Sequence, residues 1–387
     1  MGSVSRLALS LSAAALCVAL FPHAFGQGAP AESGYPISRT RSLGKPLAFN
    51  NLTLVPVYDS AASPGAGYMT LDEGLKSKAV KVEEAPSGGD VNTLYISNRG
   101  SKALYVMAGE VVLGGQQDRC LGKDLIVAAG KRRVPIGVFC VEHGRWTGSS
   151  SFGASANAVA SAEIRSDVQD TGFVAASPTA RQSAGRSGRV TTLETDPSVT
   201  ASASIDQAQG KVWDKVAKKN AAFNASPSTG TYREILNMSG GDARKTVAPY
   251  TKALSQVGEG NPHIVGVVAA VNGKVVSADI FGDPVLFHKL WPKLLNSYSA
   301  DAAENQSAAG KRVPGVTQKQ AKEFLTSAQT AGSRVTRSSG TGVSERYETK
   351  TAVTYKLLPH AAAGGPGGGS GGSGATPLHE NVLGKQN

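Results

Sequence analysis

The chain has 387 residues, with 40 lysines and arginines against 29 aspartates and glutamates, a formal net charge of +11. The basic residues are spread along the sequence without the interleaved aromatics on which single-strand binders stack bases. This argues against nucleic acid and for a solvated basic surface or contact with anionic envelope polymers. Beyond the N-terminus no apolar segment approaches the length of a transmembrane helix.

Residues 1–26 read as a cleavable secretory signal. Arg6 gives a positive start, Leu7 to Phe21 an apolar stretch too short for a span, and Ala24-Phe25-Gly26 the small residues of a cleavage site. Leu16 stands where lipid attachment at Cys17 needs a small residue, so lipidation is not expected. The mature protein is expected to be exported, periplasmic or extracellular, without a transmembrane segment. Residues 27–49 are rich in Gly, Pro and Ser and read as a flexible lead.

Residues 50–146 form a β-rich half large enough to bury its own core. Leu52 to Tyr58 alternates like a strand, with Pro56 favouring an edge. Thr70, with Glu73 three residues on, predicts a capping box for a short helix from Leu71 to Ser77. Strands are predicted at Ala79 to Glu83, Thr93 to Asn98, Ala103 to Ala108, Leu125 to Ala128 and Arg133 to Cys140.

The stretch from Ala108 to Trp146 holds the densest chemistry. It opens on Gly109-Glu110, continues through Gly114-Gly115-Gln116-Gln117-Asp118-Arg119, and closes on Cys140-Val141-Glu142-His143-Gly144-Arg145-Trp146. Paired glycines between a strand and polar residues point to a close backbone approach, by a neighbouring strand or a ligand. Glu110 and Glu142 each read as the end of a strand, and a shared sheet would bring both to one rim with Arg119 and Arg145. Cys120 and Cys140, each at a strand edge, are candidates for one disulfide in an oxidising compartment. The alternative is a reactive Cys140 thiolate beside His143 or Arg145.

Residues 147–204 are dominated by Ser, Ala, Gly and Thr, and read as a disordered insertion that buries too little apolar surface to offset its chain entropy. Residues 205–358 read as an α+β C-terminal half. A helix returns near Ile205, with Val212, Trp213, Val216 and Ala217 at helical spacing. Asn272-Gly273 between two apolar runs predicts a hairpin, and Asp283-Pro284 the cap and first residue of a helix that Pro292 should kink or divide. Thr317 caps a further helix, Gln318 to Ala328. Two strands, Ser333 to Ser338 and Glu345 to Leu358, follow. Residues 359–377 are a Gly-rich loop, and residues 378–387 a terminal strand and tail.

The block from Gly109 to Trp146, with Gln209-Gly210-Lys211-Val212-Trp213, Phe281-Gly282-Asp283 and Trp291 to Leu295, resembles the bacterial ARG and Rhodanese-Phosphatase-superfamily-associated protein domain family across residues 50–358. The resemblance supplies matching positions and no reaction. It implies a last strand that pairs with the one before it, its hairpin loop stretched here by glycine. Cys120 falls outside the family pattern.

The fold class expected is α+β, a β-rich N-terminal half followed by β-hairpins and amphipathic helices. No GxSxG elbow, HExxH, P-loop or dinucleotide fingerprint occurs, and the histidines lack metal-ligand spacing, so no cofactor is expected. A metal site from Glu110, Glu142 and His143 is a minor alternative. The leading reading is an envelope ligand-binding or interaction module whose partner is a small molecule, an envelope polymer or a protein. In it Arg119 and Arg145 act as forked donors, Gln116 and Gln117 as amide contacts, Trp146 as a stacking wall, and Glu110 and Glu142 as carboxylates of the same pocket. Against it stands a structural reading in which these charges only pair with one another. The enzymatic alternative is a hydrolase with Glu110 and Glu142 as an acid/base pair.

Overall fold

The N-terminal edge of the chain is built from short strands. β1 (Tyr35–Pro36) pairs with β2 (Arg41–Leu43), and β2 and β3 (Leu47–Phe49) both pair with β4 (Leu52–Asp59). Residues 35–49 are therefore not the flexible lead expected from their composition. Leu43 is buried, and the Arg41 guanidinium bonds Asp59 at 3.0 Å, which ties this edge down. The structure, a computed structural model, describes residues 35–65, 67–84, 92–148, 151–174, 197–258, 260–306, 313–329, 333–360 and 376–385. The secretory signal read in residues 1–26 lies outside the described residues, as do residues 175–196 of the insertion and residues 361–375 of the Gly-rich loop. The described residues belong to one compact unit.

β5 (Met69–Thr70) leads into α1 (Leu71–Lys76) through the predicted capping box: Thr70 Oγ1 accepts from the Glu73 amide, and the Glu73 carboxylate from the Thr70 amide. Then come β6 (Val80–Glu84), β7 (Thr93–Asn98), β8 (Leu104–Val106), β9 (Glu110–Gly114), β10 (Arg119–Leu121), β11 (Leu125–Val127), β12 (Val134–Cys140) and β13 (Ser151–Val159). Six of them close a barrel in the order β10-β12-β7-β6-β13-β9, every pair antiparallel. Val82, Ile96, Val112, Leu121, Ile136 and Val138 fill its interior.

β13 lies inside the stretch whose composition reads as disorder, and so does α2 (Ala162–Val174). Closure explains the difference. Without β13 both β6 and β9 would expose an unpaired edge, and Phe152, Val159, Ile164 and Val168 supply burial that a residue count of Ser and Ala conceals.

α3 (Pro197–Ala222) begins earlier than Ile205 and is followed by α4 (Arg233–Leu236) and α5 (Ala243–Leu254). The predicted hairpin forms from β14 (Ile264–Val271) and β15 (Lys274–Phe281), with Asn272 at φ +52° and Gly273 at +75°, the backbone its two-residue turn requires. Asp283 caps α6 (Pro284–Glu304) by accepting from the Val285 amide, and the helix continues through Pro292 as one element. α7 (Gln318–Gln329), β16 (Ser333–Ser339), β17 (Gly342–Glu348), β18 (Ala352–Pro359) and β19 (His379–Gly384) complete the chain. The single strand expected over Glu345 to Leu358 is thus two strands.

The large sheet runs β1-β2-β4-β14-β15-β19-β18-β17-β16. β4 comes from the N-terminal half and pairs with β14, so the two halves do not fold apart. β4 and β14 are buried almost throughout because both sheet faces are covered: α5 and α6 pack on one, α7 on the other. β19 pairs with β18, as the resemblance implied, and with β15 on its other side. The chain is α+β, with a closed barrel set against a sheet and its helices. Among the described residues no helix is long and apolar enough to cross a membrane.

Candidate functional site at the barrel rim

Barrel strands alternate in direction, so their ends fall on two rims. Glu84, Gly114, Arg119 and Cys140 lie at one, and Val80, Asn98, Glu110 and Leu121 at the other. Glu110 therefore begins the strand whose far end reaches the rim near Glu142, and a five-residue strand separates its ends by about 13 Å. The expectation that both glutamates share one rim is corrected. Glu110 is fully buried, accepts from the Met107 amide at 2.8 Å and pairs with Lys293 at 2.5 Å; Lys293 also bonds Asp72. Burial pushes the Glu110 carboxyl up, and the Lys293 ammonium opposes that push. With Glu110 elsewhere, neither the acid/base pair nor the metal site with Glu142 and His143 is assembled.

At the other rim the remaining motif residues converge. Glu142 Oε2 accepts from Arg145 Nε at 3.0 Å, from Arg145 Nη2 at 2.7 Å and from the Asp118 amide at 3.1 Å; Glu142 Oε1 accepts from Thr229 Oγ1 at 2.7 Å. Arg145 spends its other protons on the carbonyls of Gly115, Thr147 and Gly114 and on Asp118 Oδ1 at 3.3 Å. Asp118 is fully buried and grips Arg233 in a fork, Nε at 3.0 Å and Nη2 at 2.7 Å, while Thr231 Oγ1 also donates to it. Burial opposes ionisation of Glu142, but the bonds from Arg145, Thr229 and the Asp118 amide outweigh it and hold this carboxyl below its usual value. The Glu142 hydrogen bonds raise the Arg145 guanidinium in turn.

Arg119 is not a surface fork. It is buried in the barrel mouth, with Nη1 on Gln117 Oε1 at 3.2 Å and Nη2 3.9 Å from Glu84. Gln117, also buried, donates to the His143 carbonyl at 3.3 Å. Gln116 gives its backbone N–H to Glu84 at 2.8 Å, its side chain half-buried. Trp146 is the outlier, 55% exposed. The paired glycines answer to a neighbouring strand: Gly114 and Gly115 have φ of +118° and +57°, and a Cβ on Gly115 would meet the Phe152 ring at 2.3 Å.

The expected disulfide does not form; Cys120 and Cys140 are both free and buried. In the β10–β12 ladder Cys120 faces Phe139 and Cys140 faces Arg119, so adjacent positions direct the two thiols to opposite faces of the barrel wall. Burial pushes the Cys120 thiol up to about 12 and raises Cys140 as well, which argues against an activated thiolate at either position.

Residues missed by sequence reasoning complete this cluster: Glu84, Asp118 as a hub, Thr229, Thr231 and Arg233. Thr229 to Arg233 lie over eighty positions downstream in a segment without periodicity, and backbone bonds from the Gly144 amide to the Thr229 carbonyl at 2.8 Å and from the Tyr232 amide to the Val141 carbonyl at 2.9 Å help bring them in. A second ionic network went equally unseen. Asp279 of β15 accepts Arg165 Nη1 and Nη2 of α2 at 2.7 and 3.1 Å, Asn381 Nδ2 of β19 at 2.9 Å, and the Tyr298 hydroxyl of α6. His379 lies between Asp124, 2.6 Å from its Nδ1, and Asp279, 3.3 Å from its Nε2, with its ring stacked on Phe281. Arg165, Asp279 and His379 are fully buried, which marks a tie between barrel and sheet rather than an open site. Among the described residues no three His, Cys, Asp or Glu side chains converge to hold a metal ion.

No curated protein and no solved structure matches the chain. A family model does match, over residues 40–363, from β2 through β18 and so across both ionic networks save β19. On that match the chain belongs to the ARG and Rhodanese-Phosphatase-superfamily-associated Protein domain family.

Proposed function

We propose that the chain is an exported ligand-binding or interaction module of the cell envelope, and that its contact face is the rim presenting Arg233 and Trp146. The observation that carries this reading is the unequal use of the two guanidiniums on Asp118. Arg145 has its N–H groups occupied by Glu142, Asp118 and three carbonyls, and serves as a fastener. Arg233 commits only Nε and Nη2 to Asp118, and its side chain is 39% exposed. A buried carboxylate thus presets one guanidinium edge toward solvent, a pre-organised donor for a carboxylate, phosphate or acidic sugar. Trp146, four residues past Glu142, adds an exposed indole. The apolar stretch from Leu7 to Phe21 supports export. The hydrolase alternative draws no support from the geometry, since its two glutamates sit at opposite rims with their oxygens engaged.

Sedimentation with purified cell-wall sacculi tests this. Wild type is expected to co-sediment. Trp146→Ala alone should weaken binding with a change of no more than about 0.5 kcal/mol in stability, and Arg233→Ala with Trp146→Ala should lose about tenfold or more in affinity while staying folded, at a cost of about 1–3 kcal/mol for the donors taken from buried Asp118. Equal sedimentation of the double variant, or none of the wild type, removes the reading.

A further inference from the structure

The exposed loops at the opposite rim of the barrel carry charge of one sign, while its carboxylates Glu110 and Asp72 are tied to Lys293. Three connections meet there: residues 77–79 between α1 and β6, residues 99–103 between β7 and β8, and residues 128–133 between β11 and β12. Asn98, fully buried, pins the second and third together. Its N–H donates to the Lys131 carbonyl at 2.8 Å, its Nδ2 to the carbonyls of Lys102 at 2.8 Å and Val127 at 3.0 Å, and its Oδ1 accepts from the Gly100 amide at 2.9 Å. The Arg99 amide donates to the Ala79 carbonyl at 2.7 Å, and the Arg133 amide to Ser97 Oγ at 3.0 Å.

These loops, with Lys76 at the end of α1, expose Lys76, Lys78, Arg99, Lys102, Lys131 and Arg132. Ion pairs fasten Arg41, Arg145, Arg165, Lys219 and Lys293 elsewhere in the chain, yet none of these six pairs with a carboxylate among the described residues. Arg133 lies over the Tyr95 ring, 4.4 Å from its centroid, which covers that aromatic. Gathering like charges on loops bonded to one another costs stability through repulsion, a cost that persists where a surface has a use for the field. Among the described residues the exposed large apolar side chains are Leu47, Trp146 and Val285, all outside these loops, so these loops offer neither a stacking platform for a nucleic-acid strand nor a wedge for insertion.

We infer that this rim docks the chain on a bilayer surface of anionic phospholipid by charge alone. Cations set around a barrel mouth form a two-dimensional array, the match for a plane of headgroups rather than a single polymer strand. The inference uses residues other than those of the Arg233 rim and stands whether or not that rim binds a ligand.

The test is partitioning of the full chain onto vesicles of phosphatidylcholine alone and of phosphatidylcholine with phosphatidylglycerol. The ratio of the two affinities is the readout, because it cancels any lipid affinity of the stretch from Leu7 to Phe21. The ratio is expected to fall steeply with salt. It should fall on the order of 100-fold at low salt in Lys131→Gln/Arg132→Gln/Arg133→Gln, from about 1 kcal/mol per removed charge. A second triple variant, Lys76→Gln/Lys78→Gln/Lys102→Gln, should give a similar drop, so misfolding of one does not decide the outcome. A wild-type ratio near one, or a ratio unchanged in both variants, overturns the inference. So does binding to inorganic polyphosphate through these residues without any preference for phosphatidylglycerol, which would make the rim a site for a soluble polyanion.

Discussion

Asp279→Ala is expected to cost about 3–5 kcal/mol, the scale for breaking a buried ion pair from one side. Arg165 enters the core in α2 with no exposed surface and finds its neutralising charge in Asp279, through two hydrogen bonds at 2.7 and 3.1 Å. The same carboxylate accepts from Asn381 and Tyr298 and lies 3.3 Å from the His379 ring. Removing it strands a guanidinium where water cannot reach and frees β15, β19, α2 and α6 from a shared anchor. Against a total stability of roughly 5–15 kcal/mol, that loss leaves a marginal fold. Asp279→Asn separates charge from cavity, because it keeps the shape and removes only the charge. Urea unfolding of both variants should give much lower midpoints than wild type. A value for Asp279→Ala within about 1 kcal/mol of wild type would show that the network does not carry the barrel–sheet junction.

The second large effect is alkaline. Burial alone would lower the His379 pKa, yet Asp124 and Asp279 on either side outweigh it and raise it to about 9. Tyr105 of β8 and Phe281 of β15 enclose the ring, and Arg165 faces it only through Asp279. Unfolded, the imidazole titrates near its ordinary value of about 6.5. The folded state therefore holds the proton more tightly, and the stabilisation is complete below about 6.5 and disappears as pH rises through about 9. The shift corresponds to a loss on the order of 3 kcal/mol across that window. His379→Gln should be less stable at pH 6 and show a flatter dependence between pH 6 and 9. A wild-type stability that stays level or rises over that range contradicts the buried imidazolium.

What the sequence made legible is local. Thr70 with Glu73, Asn272-Gly273 and Asp283-Pro284 each encode their cap or turn within four residues, and the structure forms all three. β13 and α2 were hidden because their side chains are small and their burial comes from barrel closure, a property of strands far apart in sequence. The rim motif drew attention to the right residues but not to their partners. Glu110 pairs across 183 positions with Lys293, and Asp118 across 115 with Arg233, separations that no periodicity reports. The disulfide failed on strand parity: Cys120 and Cys140 are one residue out of register across β10 and β12, so their side chains diverge.

The account rests on the motif charges being fixed partners of one another, and a double-mutant cycle between Arg145 and Glu142 measures this directly. Each single substitution to alanine should destabilise, Arg145→Ala by leaving Glu142 and three carbonyls short of a donor, Glu142→Ala by leaving Arg145 and Thr229 without their acceptor. The double variant should lose less than the sum, with a coupling on the order of 1–3 kcal/mol. Single variants as stable as wild type or more so, with no coupling between them, would mean that the rim holds strained, functional charges instead of a clamp.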